Sequence, residues 1–376
     1  MAGHLYVTSA THKLPGMPRN SPETPDSEKP KKIGISADLS REKLDRRVSV
    51  APMMDWTDRH CRYFLRGFSP QFLLYTEMIT AAAILRGNRD RLLAYDAAEH
   101  PVALQLGGSD PAELASAARI GAQFGYDEIN LNCGCPSDRV HSGAFGACLM
   151  LEPARVADCV AAMRAAVSIP VTVKMRIGVV AGHGAVAREA IAHYTEADAR
   201  ALLGFVAAVS SAGAAAVIVH ARKAVLGGLS PKENREVPPL RHDIVRSVKE
   251  QFPQLPVILN GGLRQVGSVV EALAWCDGVM LGREAYHRPW LLVELRAALD
   301  AAKSAGVPDR AALLARMADY AARELARGER LPSITRHMLG LYAGEPGARE
   351  FRRRLSEGAR EPQVRADLLC RVAPAK

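Results

Sequence analysis

From Val48 onward the chain alternates between two patterns. Short runs of apolar and β-branched residues recur, and each is followed by a stretch with helical spacing. The runs are Ser49–Met53, Leu73–Met78, Val102–Leu106, Glu128–Asn132, Val171–Met175, Ala216–His220, Val257–Asn260 and Gly278–Gly282. Runs this continuous read as strands buried on both faces, as in a parallel sheet covered by helices. Between them, Ser109–Glu113 offers an N-cap, a proline early in the helix and an acid in the first turn. The stretch Pro111–Phe124 then has helical spacing, and residues 153–167 and 198–212 behave alike. Eight strand–helix units predict an α/β fold, a (β/α)8 TIM barrel, over residues 47–290. A doubly wound open sheet is the alternative, but it does not call for polar residues at the end of nearly every strand.

Those ends carry Pro52 and Met53, Glu77, Gln105, Asn132 to Cys135, Lys174 and Arg176, His220 and Arg222, Asn260 to Gly262, and Gly282 with Arg283. In such barrels the catalytic groups sit at the carboxyl ends of the strands. A purely structural barrel needs no such concentration of polar groups in one layer.

The flanks differ from this core. Residues 1–46 read as a disordered tail, with prolines recurring from Pro15 to Pro30 among Ser, Lys, Glu and Asp. Residues 291–376 lose the strand-like runs and read as a helical domain rich in Ala, Leu, Arg and Glu. This segment holds sixteen Lys and Arg against eleven Asp and Glu, and so supplies five of the nine net positive charges. Its densest basic stretch is Arg349 to Arg354. A basic balance favours a polyanionic partner without naming it, and a charge run is most often a solvated helix face.

The seven cysteines, Cys61, Cys133, Cys135, Cys148, Cys159, Cys276 and Cys370, form no repeated C-x-x-C framework. A reduced cytoplasmic compartment fits that pattern. Cys133 and Cys135 with Cys148 and His141 lack the usual paired spacings of a zinc site, so no metal is expected. No apolar run reaches membrane-spanning length, and the start of the chain has no signal-peptide character.

Gly261-Gly262 and Gly282-Arg283 follow the last two runs. Barrels often bind a phosphate there through backbone N–H groups, and an arginine adds a charge-assisted bond. Two ordinary glycine turns would look the same. Lys174 could hold negative charge on a cofactor such as a reduced flavin. Gln105 could bond a pyrimidine edge, offering donor and acceptor together. His220 could do the same or hold a phosphate arm. Cys135 stays open between three readings: a small buried hydrophobe, a nucleophile with His141 or His220 as base, and a proton donor, since an ordinary thiol is protonated at neutral pH.

Several motifs together carry a family resemblance. Ala51 to Asp58 resembles the opening strand of tRNA-dihydrouridine synthases, and Asn132-Cys133-Gly134-Cys135-Pro136-Ser137 resembles their active-site loop, N-x-G-C-P-S. The segment from His220 to Lys223 and on through Leu229 to Pro239 looks like the A subgroup. Asn260 to Gly262, Gly282 to Ala285, Arg336 to Leu339 and Gly347 to Arg349 complete the match, over about residues 48–360. The resemblance implies an FMN-binding barrel, NADPH as reductant and a helical tRNA-binding domain. FMN would be held at Pro52, Met53, Met54, Gln105, Lys174, His220, Asn260, Gly261, Gly262, Gly282 and Arg283. Cys135 would be the proton donor, and Asn132 would contact the target uracil. Lys232, Arg235, Arg349 and Arg352 lie in the stretches the A subgroup uses to orient tRNA. The implied target is uridine 20 of the D-loop and its neighbour 20a. A monomer is expected, with no protein partner named. Cys133 departs from the family's usual aliphatic residue, and no change in chemistry is expected from it. A flavin barrel acting on a free pyrimidine and a non-catalytic tRNA-binding protein are the competing readings.

Overall fold

A computed structural model of the chain describes residues 44–136, 145–181, 184–300, 309–361 and 364–374. The tail expected over residues 1–46 lies outside these up to residue 43, as do Ser137 and His141. Ten strands are present among the described residues. They are β1 (Val48–Val50), β2 (Leu73–Thr80), β3 (Val102–Gly107), β4 (Glu128–Cys133), β5 (Val171–Arg176), β6 (Val179–Ala181), β7 (Val217–His220), β8 (Ala224–Leu226), β9 (Val257–Asn260) and β10 (Gly278–Leu281). Eight of them close into a parallel barrel in the order β1-β10-β9-β7-β5-β4-β3-β2. The eight expected runs are these eight strands. The first is shorter than its run, because Pro52 has no N–H to give a ladder and the last pairing donor is Ala51, to Leu281 at 2.7 Å. Strands β6 and β8 were not anticipated. They extend the chain beyond β5 and β7 and pair with each other as a small parallel sheet above the barrel.

Alternation within the barrel strands divides the core into two layers. Ala51, Leu73, Tyr75, Ala103, Ala216, Ile218, Ile258 and Met280 pack inside the barrel. Their neighbours in sequence, such as Leu74, Leu104, Val217 and Leu259, pack outward against the helices. The helix Pro111–Gln123 starts as expected: Asp110 caps it by accepting from the N–H of Glu113 at 2.8 Å, and Pro111 needs no donor there. Helices Pro153–Ala166 and Glu196–Ser211 occupy the other two expected stretches, the second capped by Thr195.

After β10 every regular element among the described residues is helical. The later helices meet the barrel along helix Arg59–Arg66. Tyr320 stacks on Tyr63 with centroids 4.0 Å apart, and its hydroxyl lies 2.7 Å from His60 Nδ1. Arg59 pairs with Glu324 and Glu329, and Arg336 reaches Asp58 at 2.6 Å. Asp58 also caps the helix through the N–H of Cys61 at 2.9 Å. The His337 and Arg336 side chains and this N–H hold its carboxyl well below the usual carboxylate range, against the opposing effect of burial. One aspartate thus ties the strand-end loop after β1 to the helical segment.

Candidate active site

The carboxyl ends of the strands bring Gln105, Asn132, Lys174, His220 and Asn260 to one end of the barrel, on β3, β4, β5, β7 and β9. Parallel pairing sets Asn132 opposite Lys174, and His220 opposite Asn260. Lys174 donates to Asn260 Oδ1 at 3.2 Å, while Asn260 Nδ2 donates to the Met280 carbonyl at 2.7 Å. Burial, and next the nearby Arg176, push the ammonium down to about 8. A lysine in that state is ready for a negative partner.

Cys135 sits just past β4, half-buried, in a loop held from two sides. Asn132 Oδ1 accepts the N–H groups of both Gly134 and Cys135, each at 3.0 Å. On the other side Arg176 donates to Gly134 O at 2.9 Å, to Lys223 O at 3.0 Å and to Asn234 O at 2.9 Å. The guanidinium therefore staples the Cys135 loop to the segment after β8. Gly134 packs closely against β5: a Cβ there would lie 3.3 Å from the carbonyl carbon of Met175, a tight contact. Cys133 belongs to β4 and faces the helices, fully buried, and burial pushes its thiol well up. A thiol reagent would thus meet Cys135 before Cys133.

A cluster of cations occupies the rim next to His220. Arg176, Lys174, Arg222 and Arg235 all act on this histidine, and together with its burial, the largest cause, they hold it well below its ordinary range. His220 is neutral, and its buried Nδ1 has no hydrogen-bond partner. Gly261 and Gly262 follow with φ of 106° and 76°, a backbone region that glycine tolerates. A Cβ on Gly261 would come within 3.2 Å of His220 Nε2. An orphaned buried ring nitrogen, left-handed glycines and mutually repelling arginines fit a phosphate-bearing group. Arg283 is not idle, for it pairs with the exposed Glu236 at 2.6 Å. Pro52 and Met53 are half-buried just past β1, and Met54 is exposed, while Gly282 directly follows β10.

The four outlying residues fall into two places. Lys232 and Arg235 are exposed on the segment that Arg176 joins to the Cys135 loop. Arg349 and Arg352 are exposed on helix Ala348–Gly358. Arg352 also lines a depression with Tyr286, His287, Arg336, Leu339 and Gly340. Nearby, Trp56 stacks on Tyr286 with centroids 4.4 Å apart. Residue-by-residue reading missed Arg176 as a staple, Asn234 as its anchor and the buried Asn130 behind Gln105. The period-two placing of Glu128, Asn130 and Asn132 was the available signal.

A closed parallel barrel that gathers amides, cations and the half-buried thiol of Cys135 at the carboxyl ends of its strands is a TIM-barrel enzyme. The family model described as Dihydrouridine synthase matches residues 49–373. Similar proteins include a tRNA-dihydrouridine(20/20a) synthase of Xanthomonas campestris pv. campestris, 56% identical over 84% of this chain and 89% of the relative. The protein of that name from Pseudomonas aeruginosa is 53% identical over 83% of this chain and 90% of its own length. The one from Vibrio cholerae is 51% identical over 84% and 92%. The chain belongs to the dihydrouridine synthase family, enzymes that reduce uridine in tRNA to dihydrouridine. No helix among the described residues is long and apolar enough to cross a membrane.

Proposed function

We propose that this chain reduces uridine to 5,6-dihydrouridine in the D-loop of tRNA, at position 20 and its neighbour 20a. The positions rest on the relatives that carry them in their names and match over most of both chains. The observation that carries the chemistry is the doubly anchored loop that holds Cys135 at the barrel rim, between Asn132 and Arg176. Bound FMN, reduced by NADPH, would supply a hydride to C6 of the uracil ring. Cys135 would give the proton to C5 from the opposite face and regain one from solvent.

The remaining roles follow the family resemblance, onto the residues placed above. Lys174 and Gln105 would face the polar edge of the flavin, and His220, Asn260, Gly261, Gly262, Gly282 and Arg283 its phosphate arm. Pro52, Met53 and Met54 would border it from the end of β1. Asn132 would meet the uracil, which must leave its stack to reach the barrel mouth. Lys232, Arg235, Arg349 and Arg352 would take RNA phosphates, a contact that weakens as salt rises.

The test is direct. Purified protein with FMN and NADPH is incubated with a tRNA transcript, and dihydrouridine is mapped along it. Formation at 20 and 20a is the expected result. Reduction at other positions only would overturn the assignment of target. Turnover of free uracil or dihydroorotate without RNA would favour a free-pyrimidine enzyme, and failure to take up any flavin would favour a non-catalytic tRNA binder.

A further inference from the structure

A continuous hydrogen-bond chain runs up the inside of the barrel, and the roles above leave most of it unused. It begins at the buried carboxylate of Glu128, to which Arg46 Nε donates at 2.8 Å. Thr172 Oγ1 and the Tyr75 hydroxyl both donate to Glu128 Oε1 at 2.6 Å. Asn130 Nδ2 donates to Thr172 Oγ1 at 2.9 Å, and Gln105 Nε2 donates to Asn130 Oδ1 at 2.7 Å. Asn132 Nδ2 donates to Gln105 Oε1 at 3.0 Å, and Asn132 Oδ1 receives the two N–H groups of the Cys135 loop. Glu128, Asn130 and Thr172 are fully buried, Gln105 is 1% exposed and Asn132 8%.

A lone amide side chain can turn over and exchange its donor for its acceptor. Here the two ends of the chain forbid it. A carboxylate only accepts, so Thr172 spends its proton on Glu128 and keeps its oxygen for Asn130. A backbone N–H only donates, so Asn132 must turn Oδ1 toward Gly134 and Cys135. Both ends impose the same direction on every amide between them. Asn132 has then committed both lone pairs and one N–H. The one hydrogen-bonding group it has left is a second N–H.

We propose that Thr172 and Asn130 are positioning residues that reinforce, from the Glu128 end, the orientation that the Gly134 and Cys135 N–H groups ask of Asn132, so that Asn132 is held to meet the target base solely as a donor. A donor facing position 4 of the ring gives its hydrogen bond to the carbonyl of uracil there and meets only another donor in the amino group of cytosine. The selectivity part rests on the reading of Asn132 as the residue that meets the pyrimidine.

The experiment compares Thr172→Val, a near-isostere without the hydroxyl, with Thr172→Ser, which keeps it. The first readout is hydrogen–deuterium exchange at the Gly134 and Cys135 amides, in protein without added ligand. The second is the inhibition constant of a tRNA transcript carrying cytidine at the target position, relative to the KM of the uridine transcript. Thr172→Val is expected to speed exchange and to narrow the preference for uridine, each by about tenfold for one buried hydrogen bond lost. Thr172→Ser is expected to stay near wild type in both. Should Thr172→Val not fold, Asn130→Leu cuts the chain one link higher and serves in its place. Unchanged exchange in the valine variant overturns the proposal, whatever its melting temperature. Faster exchange with an intact uridine preference overturns the selectivity role. If the wild type shows no preference for the uridine transcript, the selectivity part and the reading of Asn132 fall together, while the exchange rates still decide whether the chain positions the loop.

Discussion

Replacing Arg176 by methionine separates two descriptions of the Cys135 loop, one held by a buried charge and one held by local turn geometry. Arg176 is 5% exposed, and its hydrogen bonds go to three backbone carbonyls, those of Gly134, Lys223 and Asn234. Burial lowers the guanidinium from 12.5 to about 10. At about 1.4 kcal/mol per pH unit, that is roughly 3 kcal/mol of net cost to the charged form, from burial first and from the nearby Arg235 and Arg222. Three charge-assisted hydrogen bonds at about 1.5–3 kcal/mol each outweigh it. Methionine removes both contributions and strands the carbonyls that stay buried, at about 1–3 kcal/mol apiece. A loss of about 3 kcal/mol in unfolding free energy is expected from urea titration. The guanidinium is ionised at every pH well below about 10, so the loss should be equal at about pH 6 and pH 8. Arg176→Lys, which keeps charge but not the fork that reaches three carbonyls, should recover only part of it. Dihydrouridine formation should fall more steeply than flavin affinity, since the loop moves while Lys174, Arg222 and Arg235 stay at the rim. A loss under about 1 kcal/mol with full activity would refute the staple, because the carbonyls would then have found other partners.

Other outcomes follow from the same geometry. Cys135→Ala should keep flavin binding and NADPH oxidation while dihydrouridine formation falls about 10²–10⁴-fold, the usual worth of a positioned acid; full activity would sink the proton-donor role. Cys133→Val should leave kcat and KM within about twofold, since its thiol is buried against the helices and faces no reactant. Lys174 titrates near 8, so FMN affinity should be flat at neutral pH and weaken by up to tenfold per pH unit above that value, a slope absent in Lys174→Gln. In protein without ligand the sign reverses. A lysine whose folded value is depressed costs stability while it is charged, so unfolding free energy should rise as pH climbs from about 8 toward 10.5. A wild-type affinity that does not change across that range would rule out Lys174 as the partner of an anion.

The sequence by itself determined the barrel. Runs such as Val102–Leu106 and Val171–Met175 are too continuous for a half-exposed sheet, and the capped helices between them leave few other ways to bury both faces. It also marked the rim, because Gln105, Lys174, His220 and Asn260 each stand at or near the end of such a run. The Asn132–Cys135 motif drew attention to one thiol for the same reason. Local periodicity carries no register between strands, and the rest depends on register. Only closure of the barrel turns Glu128, Asn130 and Asn132 inward while Ile129, Leu131 and Cys133 face the helices. Only the pairing of β3, β4 and β5 sets Gln105 beside Asn130 and Asn130 beside Thr172. The small sheet of β6 and β8, the Arg283–Glu236 pair and the three carbonyls of Arg176 are likewise contacts between segments far apart in the chain. A strand's own residues state which positions alternate, and its neighbours across the sheet decide which of them become a site.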